Sequence, residues 1–93
     1  MVEYSSRLLD RTFGALADPT RRLLAQLAKR EECLTDLAQP HSMSLAEVSK
    51  HLIVLAKAGL VKRRRDGRVH SMRLEAKPMK EAQAWINRVE NAD

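Results

Sequence analysis

The chain has few aromatic residues, one cysteine and no long apolar run, and each shortage excludes a class of protein. Only Tyr4, Phe13 and Trp85 are aromatic, so we expect a core of aliphatic side chains. The single cysteine, Cys33, excludes an intrachain disulfide and suits a reducing cytoplasm. No apolar run approaches the roughly 18 to 20 residues of a membrane span. The N-terminus also lacks the basic-then-apolar order of a signal peptide, so a cytoplasmic protein is expected.

Positive charge is concentrated in one segment of the chain. The formal net charge is +5, from 17 basic and 12 acidic residues. Residues 62–73 contain six basic residues and one acidic residue, so this segment accounts for the whole excess. The other 81 residues contain 11 of each sign and sum to zero. A uniformly solubilised surface would spread the excess, whereas an anion-binding element concentrates it.

The apolar spacing predicts a mainly α chain in one domain, residues 1–93, with about five helices. A first helix is expected over about 5–17. A second is expected to start at Asp18-Pro19, because Asp is a favoured N-cap and Pro a favoured first helical residue, and to reach about Arg30. A short helix over 34–39 should end before Pro40, and a last helix should cover about 78–91.

The helix after residue 44 has the clearest signals. Ser44 and Glu47 fit the S-x-x-E capping box, and Gly59 is a good left-handed stop. Its predicted buried stripe is Leu45, Val48, Leu52 and Leu55. The residues that point outward are predicted to be Ala46, Glu47, Lys50 and Val54.

A two-stranded hairpin is predicted after Gly59. Asp66-Gly67 favours a two-residue type I′ turn, which would pair Arg65 with Arg68, Arg63 with His70 and Val61 with Met72. Val61 and Met72 would then root the hairpin in the core. Like charges opposite one another are destabilising, so the crowding of basic residues indicates a bound polyanion.

The short helix, the turn and the capped helix together form a helix-turn-helix, and the hairpin is its wing. Such a unit places its second helix in the major groove of duplex DNA. The candidate contacts on that helix are Ser44, Ala46, Ser49, Lys50 and His51. Phosphate contacts are expected from the start of the second helix and from the wing: Thr20, Arg21, Arg22, Lys62, Arg63, Arg64, Arg65 and Arg68.

Two segments resemble the ArsR/SmtB family of bacterial repressors. Residues 13–22, Phe-Gly-Ala-Leu-Ala-Asp-Pro-Thr-Arg-Arg, are similar to the family's Ala-Leu-Ala-Asp-Pro-Thr-Arg-Arg stretch. Residues 44–61 follow its recognition-helix pattern S-x-x-x-V-S-x-H-L-x-x-L-x-x-A-G-L-V. The resemblance spans roughly residues 10–90 and implies a homodimeric winged helix-turn-helix repressor that binds an imperfect palindrome.

The family's dimer interface, built by the first and last helices, fits an apolar stripe on the last helix. The resemblance therefore implies interface roles for Leu8, Leu9, Met79, Ala82, Trp85, Ile86 and Val89, with Tyr4 beside them. The family's metal motifs are missing. Thr35 stands where arsenic-sensing members have a second cysteine, and residues 75–93 contain neither His nor Cys. No metal or cofactor is expected, and the effector is left open.

The sequence also allows other functions to be weighed. An enzyme is excluded, because Ser49 and His51 are two apart on a helix and cannot face each other. An interaction module that dimerises without binding DNA would not need Lys50 and a basic wing. A metal- or redox-responsive repressor would rely on Cys33, which is more simply a small buried or half-buried filler. His41 is expected to be a polar surface residue, and His70 either a phosphate contact or a solvated side chain.

Overall fold

The computed structural model describes residues 6–92, which form five α-helices and a three-stranded antiparallel sheet. The helices are α1 (Ser6–Ala17), α2 (Arg21–Leu27), α3 (Leu34–Ala38), α4 (Leu45–Lys57) and α5 (Lys77–Glu90). The strands are β1 (Glu32–Cys33), β2 (Val61–Asp66) and β3 (Val69–Leu74), in the order β1-β3-β2. A single 3-10 turn, Gln39–His41, joins α3 to the loop before α4. None of these helices is long and apolar enough to cross a bilayer.

The core lies where α2, α3, α4 and the base of the hairpin meet. Its fully buried side chains include Leu23, Leu37, Leu55, Leu60 and Met72. Phe13 is half-buried and Trp85 is 40% exposed, so the predicted aliphatic core is confirmed for the described residues. Truncating such a leucine to alanine typically costs about 2 to 5 kcal/mol of stability. Because Val48, Leu52 and Leu55 of α4 belong to this core, the core holds α4 in place.

Both ends of α4 follow the local signals in the sequence. The Ser44 hydroxyl accepts from the Glu47 amide at 3.1 Å, and Glu47 Oε1 accepts from the Ser44 amide at 3.4 Å, which completes the capping box. At the other end Gly59 has φ +73. The amides of Gly59 and Leu60 donate to the carbonyls of Ala56 and Leu55, the pattern of a Schellman motif. The predicted start and stop of α4 are therefore confirmed.

The start of α2 differs from the prediction. Residues 18–20 form a turn instead of a first helical turn, and regular helix begins at Arg21 and ends at Leu27. Asp18 Oδ1 accepts from the Thr20 amide at 3.0 Å, and the Arg21 amide donates to the Asp18 carbonyl at 3.1 Å. Asp18 therefore caps a turn instead of the helix, and regular helix begins two residues later than predicted.

The hairpin register also differs, because the turn lies one residue later. Asp66 pairs with Val69, so Gly67 and Arg68 form the turn. The predicted type I′ turn needs positive φ at both turn residues, but within residues 6–92 only Ser42, Gly59 and Gly67 have positive φ. The predicted pairs are therefore wrong: Arg65 lies opposite His70, Arg63 opposite Met72 and Val61 opposite Leu74. The shift is an even number of residues, so Val61 and Met72 still share the buried face.

A third strand, β1, was not predicted. Glu32 pairs with Met72 and Cys33 with Ser71. Two residues are too short for a visible alternation, and the pairing depends on where β3 lies. The added strand fixes β3 against the helix-turn-helix, so the wing has a rigid base.

A polar cluster ties the turn of the helix-turn-helix to α2 and β1. His41 Nε2 lies 2.6 Å from Gln26 Oε1, and the Gln26 amide nitrogen donates to Glu32 and to the Asp36 carbonyl. The Glu32 side chain is only 9% exposed and also pairs with Arg30. Because the amide oxygen accepts, the imidazole must donate. The prediction that His41 is only a surface residue is wrong, since it is half-buried and bonded.

The two terminal helices pack on each other but bury small side chains. On α1 the buried residues are Thr12 and Ala15, and on α5 the buried residue is Ala82. Ala82 therefore belongs to the chain's own interior, and its predicted role as an interface residue is wrong. The Phe13 and Trp85 rings meet edge to face with centroids 5.6 Å apart. The predicted contact of Tyr4 lies outside the described residues.

Candidate nucleic-acid interface

The outward face of α4 is exposed along its whole length. Ala46, Lys50, Ile53 and Lys57 all lie on it and are all exposed. At about 100° per residue, these four lie within about 60° of one another around the helix. Ile53, 52% exposed, was missed from the sequence. The signal was available, because two helical turns separate it from Ala46.

The apolar edge of α4 differs in one position from the prediction. Leu45 is 48% exposed, whereas Val48, Leu52 and Leu55 are buried as predicted. Leu45 is the first residue of the helix, where the chain enters from the surface loop. Its predicted place in the buried stripe is therefore wrong, and the surface near the helix N-terminus is more apolar than expected.

Several polar groups at the N-terminus of α4 are already engaged. The Ser44 hydroxyl donates to Glu47 Oε1 at 3.1 Å and accepts from the Glu47 amide. This leaves Ser44 with little capacity for a base and Glu47 with its carboxylate held by the cap. Ser49 is half-buried and Lys50 is exposed. These two retain the polar side chains best placed to reach base edges.

His51 lies at the flank of α4. Its Nδ1 is 3.9 Å from Asp18 Oδ1, and its side chain is 26% exposed. The ring therefore faces the turn that precedes α2. This distance is too long for a hydrogen bond, so His51 remains a candidate contact at the flank of the helix.

The wing presents cations on both of its faces. Every residue from Lys62 to Arg68 is exposed. Side chains alternate along a strand, and Val61 on the core face is buried, so Arg63 and Arg65 share the face toward the helices. Arg63 lines an open apolar groove together with Ile53 and Lys57 of α4. Lys62 and Arg64 lie on the opposite face.

Of the three candidate contacts at the start of α2, one side chain is buried and two are exposed. Thr20 is 0% exposed, and its hydroxyl donates to the Ala15 carbonyl at 3.2 Å. Its side chain is not available to DNA, so this candidate contact is wrong. Arg21 is exposed but bonds the carbonyls of Ala17 and Asp18. Arg22 is exposed and remains a candidate for a phosphate.

Cys33 is surrounded by polar side chains at the start of α3. Cys33 is half-buried, and its Sγ lies 3.2 Å from Asp36 Oδ2 and 3.4 Å from Thr35 Oγ1. Within residues 6–92, no group of three or more His, Cys, Asp or Glu side chains is arranged to hold a metal ion. The thiol is hydrogen-bonded to the Thr35 and Asp36 side chains at the start of α3 and makes no capping bond to the helix backbone.

A helix-turn-helix followed by a basic hairpin defines a winged helix-turn-helix domain. Residues 18–63 match the model of the family described as bacterial regulatory protein, arsR family. The crystal structure of an ArsR family transcriptional regulator superposes with a TM-score of 0.85 at 33% sequence identity, covering 97% of this chain and 93% of that one. The chain therefore belongs to the ArsR family.

Two further relatives are informative. A transcriptional repressor SmtB homolog from Synechocystis is 49% identical over 57 residues, which cover 60% of this chain and 43% of that protein. The homodimeric winged helix-turn-helix DNA-binding domain of a possible ArsR-family regulator from Mycobacterium bovis has a TM-score of 0.72 at 26% identity, over 100% and 94% of the two chains. The chain spans 43% and 65% of the length of the two curated relatives that it matches.

Proposed function

We propose that this protein is a homodimeric transcriptional regulator that represses genes by binding an imperfect palindrome in duplex DNA. The observation that carries the proposal is the juxtaposition of the exposed cationic face of α4 with a hairpin that contains the whole net charge. The family of regulators to which the chain belongs supports the same function. The proposal includes no catalytic step.

In this proposal α4 enters the major groove. Lys50 donates to guanine O6 and N7 or to a phosphate, and Ser49 bonds a base edge or a phosphate. The wing residues Arg63 and Arg64, which point to opposite faces of the hairpin, hold phosphates or enter the minor groove. Arg22, which lines a pocket with Pro40 and His41, adds a phosphate contact.

The second copy of the chain is proposed to cover the surface of α1 and α5. Trp85, Ile86 and Val89 are 40%, 38% and 54% exposed, which is unusual for large apolar residues that share one helix. Trp85 also lines an open cleft together with Leu9 and Phe13 of α1. With the buried Ala82 removed from the predicted set, the proposed interface consists of Leu8, Leu9, Met79, Trp85, Ile86 and Val89.

A two-fold dimer of this kind places two copies of α4 in successive major grooves. The half-sites are then about 34 Å, or one DNA turn, apart. The M. bovis domain, which is homodimeric, supports this arrangement. The division of one 93-residue chain into a reading unit and two terminal dimerisation helices follows from it.

The experiment is a titration of labelled duplex DNA from the promoter of the protein's own gene, followed by fluorescence anisotropy. We expect binding that is lost with an unrelated duplex and weakened by Lys50→Ala. An interaction module without DNA affinity predicts no anisotropy change with any duplex. Zinc and arsenite are added in parallel, and we expect equal affinity with and without them. A metal-dependent change would instead support a metal-responsive repressor.

A further inference from the structure

The outermost line of α4 combines positive charge with an aliphatic side chain. Lys50 and Lys57 lie on either side of Ile53 along this line, with Ala46 at its N-terminal end. Scattered apolar residues on a surface need no explanation. Ile53 is different, because it shares one face of α4 with Ala46 and Lys50, the face that the proposed function puts against the major groove.

The chemistry of the major groove leaves one partner for such a side chain. An aliphatic group cannot donate to or accept from a base edge, and the only apolar group that the four bases present in this groove is the thymine methyl. The flanking lysines complement the phosphates that border the same groove. The Glu47 carboxylate, which is the group able to accept from cytosine, is held in the capping box.

We propose that Ile53 reads a thymine methyl in each operator half-site, with Ala46 contacting a second one. This inference rests on the proposed function, because it requires α4 to lie in the major groove. Ala46 and Ile53 are seven residues apart, about 10 Å along the helix. At 3.4 Å per base step, the two methyl contacts fall about three base pairs apart. Lys50 lies between them and reaches the intervening base pairs.

The DNA side is tested first, with the full chain and duplexes chosen by repeated selection from a random-sequence library. Each thymine of the selected half-site is replaced by uracil, which removes the methyl and leaves the hydrogen-bonding groups unchanged. We expect about a fourfold loss of affinity at the Ile53 position, the factor that corresponds to burial of one methyl group. Selection of no duplex would overturn the proposed function itself. Bound duplexes that are indifferent to uracil would overturn only the methyl contact.

The protein side assigns the contact to Ile53. In Ile53→Ala, the uracil effect at that position should disappear, because the partner of the methyl is gone. Val54→Ala is the matched control, since Val54 is also exposed but points about 100° away around the helix, and it should keep the fourfold effect. A uracil effect that persists in Ile53→Ala would overturn the assignment. Circular dichroism checks that both variants are folded.

Discussion

At the scale of single residues, Thr20 and Arg22 stand two positions apart and have opposite environments. Thr20 is fully buried and bonds the Ala15 carbonyl, whereas Arg22 is exposed at the surface. Both belong to one sequence motif, Asp-Pro-Thr-Arg-Arg, and the motif does not say which side chains face solvent. The turn at residues 18–20 rotates Thr20 inward and so separates a structural role from a binding role.

Thr20→Val should lower the free energy of unfolding by about 1 kcal/mol, the net value of one hydrogen bond. The cost should not be larger, because the Ala15 carbonyl also accepts from the Asp18 amide. Urea denaturation measures the change. DNA affinity of the folded variant should stay the same, whereas Arg22→Ala should weaken binding and change stability by less than about 0.5 kcal/mol. Weaker DNA binding by Thr20→Val, together with unchanged binding by Arg22→Ala, would instead place Thr20 in the DNA interface.

Gln26 is the other residue whose role appears only in the structure. Its amide joins His41, Glu32 and the Asp36 carbonyl, and thus connects the helix-turn-helix turn to α2 and β1. Gln26→Met keeps the approximate size of the side chain and removes all three bonds, including the one to the nearly buried Glu32 carboxylate. We expect a loss of about 1 to 3 kcal/mol in the free energy of unfolding, measured by urea denaturation.

Gln83 on α5 provides the control for this variant. It is exposed and its amide nitrogen donates to Asn87 Oδ1 at 2.9 Å. Gln83→Met should therefore change stability by less than about 0.5 kcal/mol. Equal effects of the two substitutions would mean that the polar cluster around Gln26 contributes nothing beyond an ordinary surface contact.

At the scale of elements, the wing is a hairpin with a rigid base and a cationic tip. Val61 and Met72 are buried at the base, β1 pairs with β3, and no residue from Lys62 to Arg68 is covered by the chain itself. Lys62 lies opposite Arg73, and Arg65 lies opposite His70. Lys62 and Arg73 carry the same charge and repel in the free protein, so a phosphate backbone placed against them relieves a cost built into the hairpin.

Arg64→Ala should weaken binding to all duplexes by a similar factor, because phosphate contacts are independent of sequence. The slope of log affinity against log salt, about −0.9 per phosphate neutralised, should become about one unit less negative. Anisotropy titrations over a series of salt concentrations measure the slope. Lys80→Ala removes the same charge from an exposed position on α5 and should leave the slope unchanged. Equal slopes for both variants would contradict the role of the wing.

At the scale of the whole molecule, the described chain presents two surfaces of opposite character. The helix α4 and the wing form a cationic surface, while α1 and α5 leave large apolar residues partly exposed and bury small ones. A surface of the second kind on a small domain is typical of an interface between copies. In the proposed dimer, the apolar face holds the partner and the cationic face meets the DNA.

Val89→Asp should shift the protein from dimer to monomer, because a carboxylate buried in the interface loses its hydration without gaining a partner. Sedimentation equilibrium should then give the 10.6 kDa mass of the chain instead of about twice this value for the parent protein. Val69→Asp is a close control, since Val69 lies in the wing and has the same 54% exposure. Dissociation by both variants, or by neither, would place the interface elsewhere.

The sequence by itself determined the features that depend on near neighbours in the chain. The capping box at Ser44, the left-handed stop at Gly59 and the location of the net charge follow from residues a few positions apart, and the recognition helix was correctly located for that reason. Only the tertiary structure decided the hairpin register, the strand β1, the burial of Thr20 and Ala82, and the bonds of Gln26. The strand β1 and the bonds of Gln26 join segments distant in the chain. The register and the burial of Thr20 and Ala82 depend on how the elements pack, which no local pattern records.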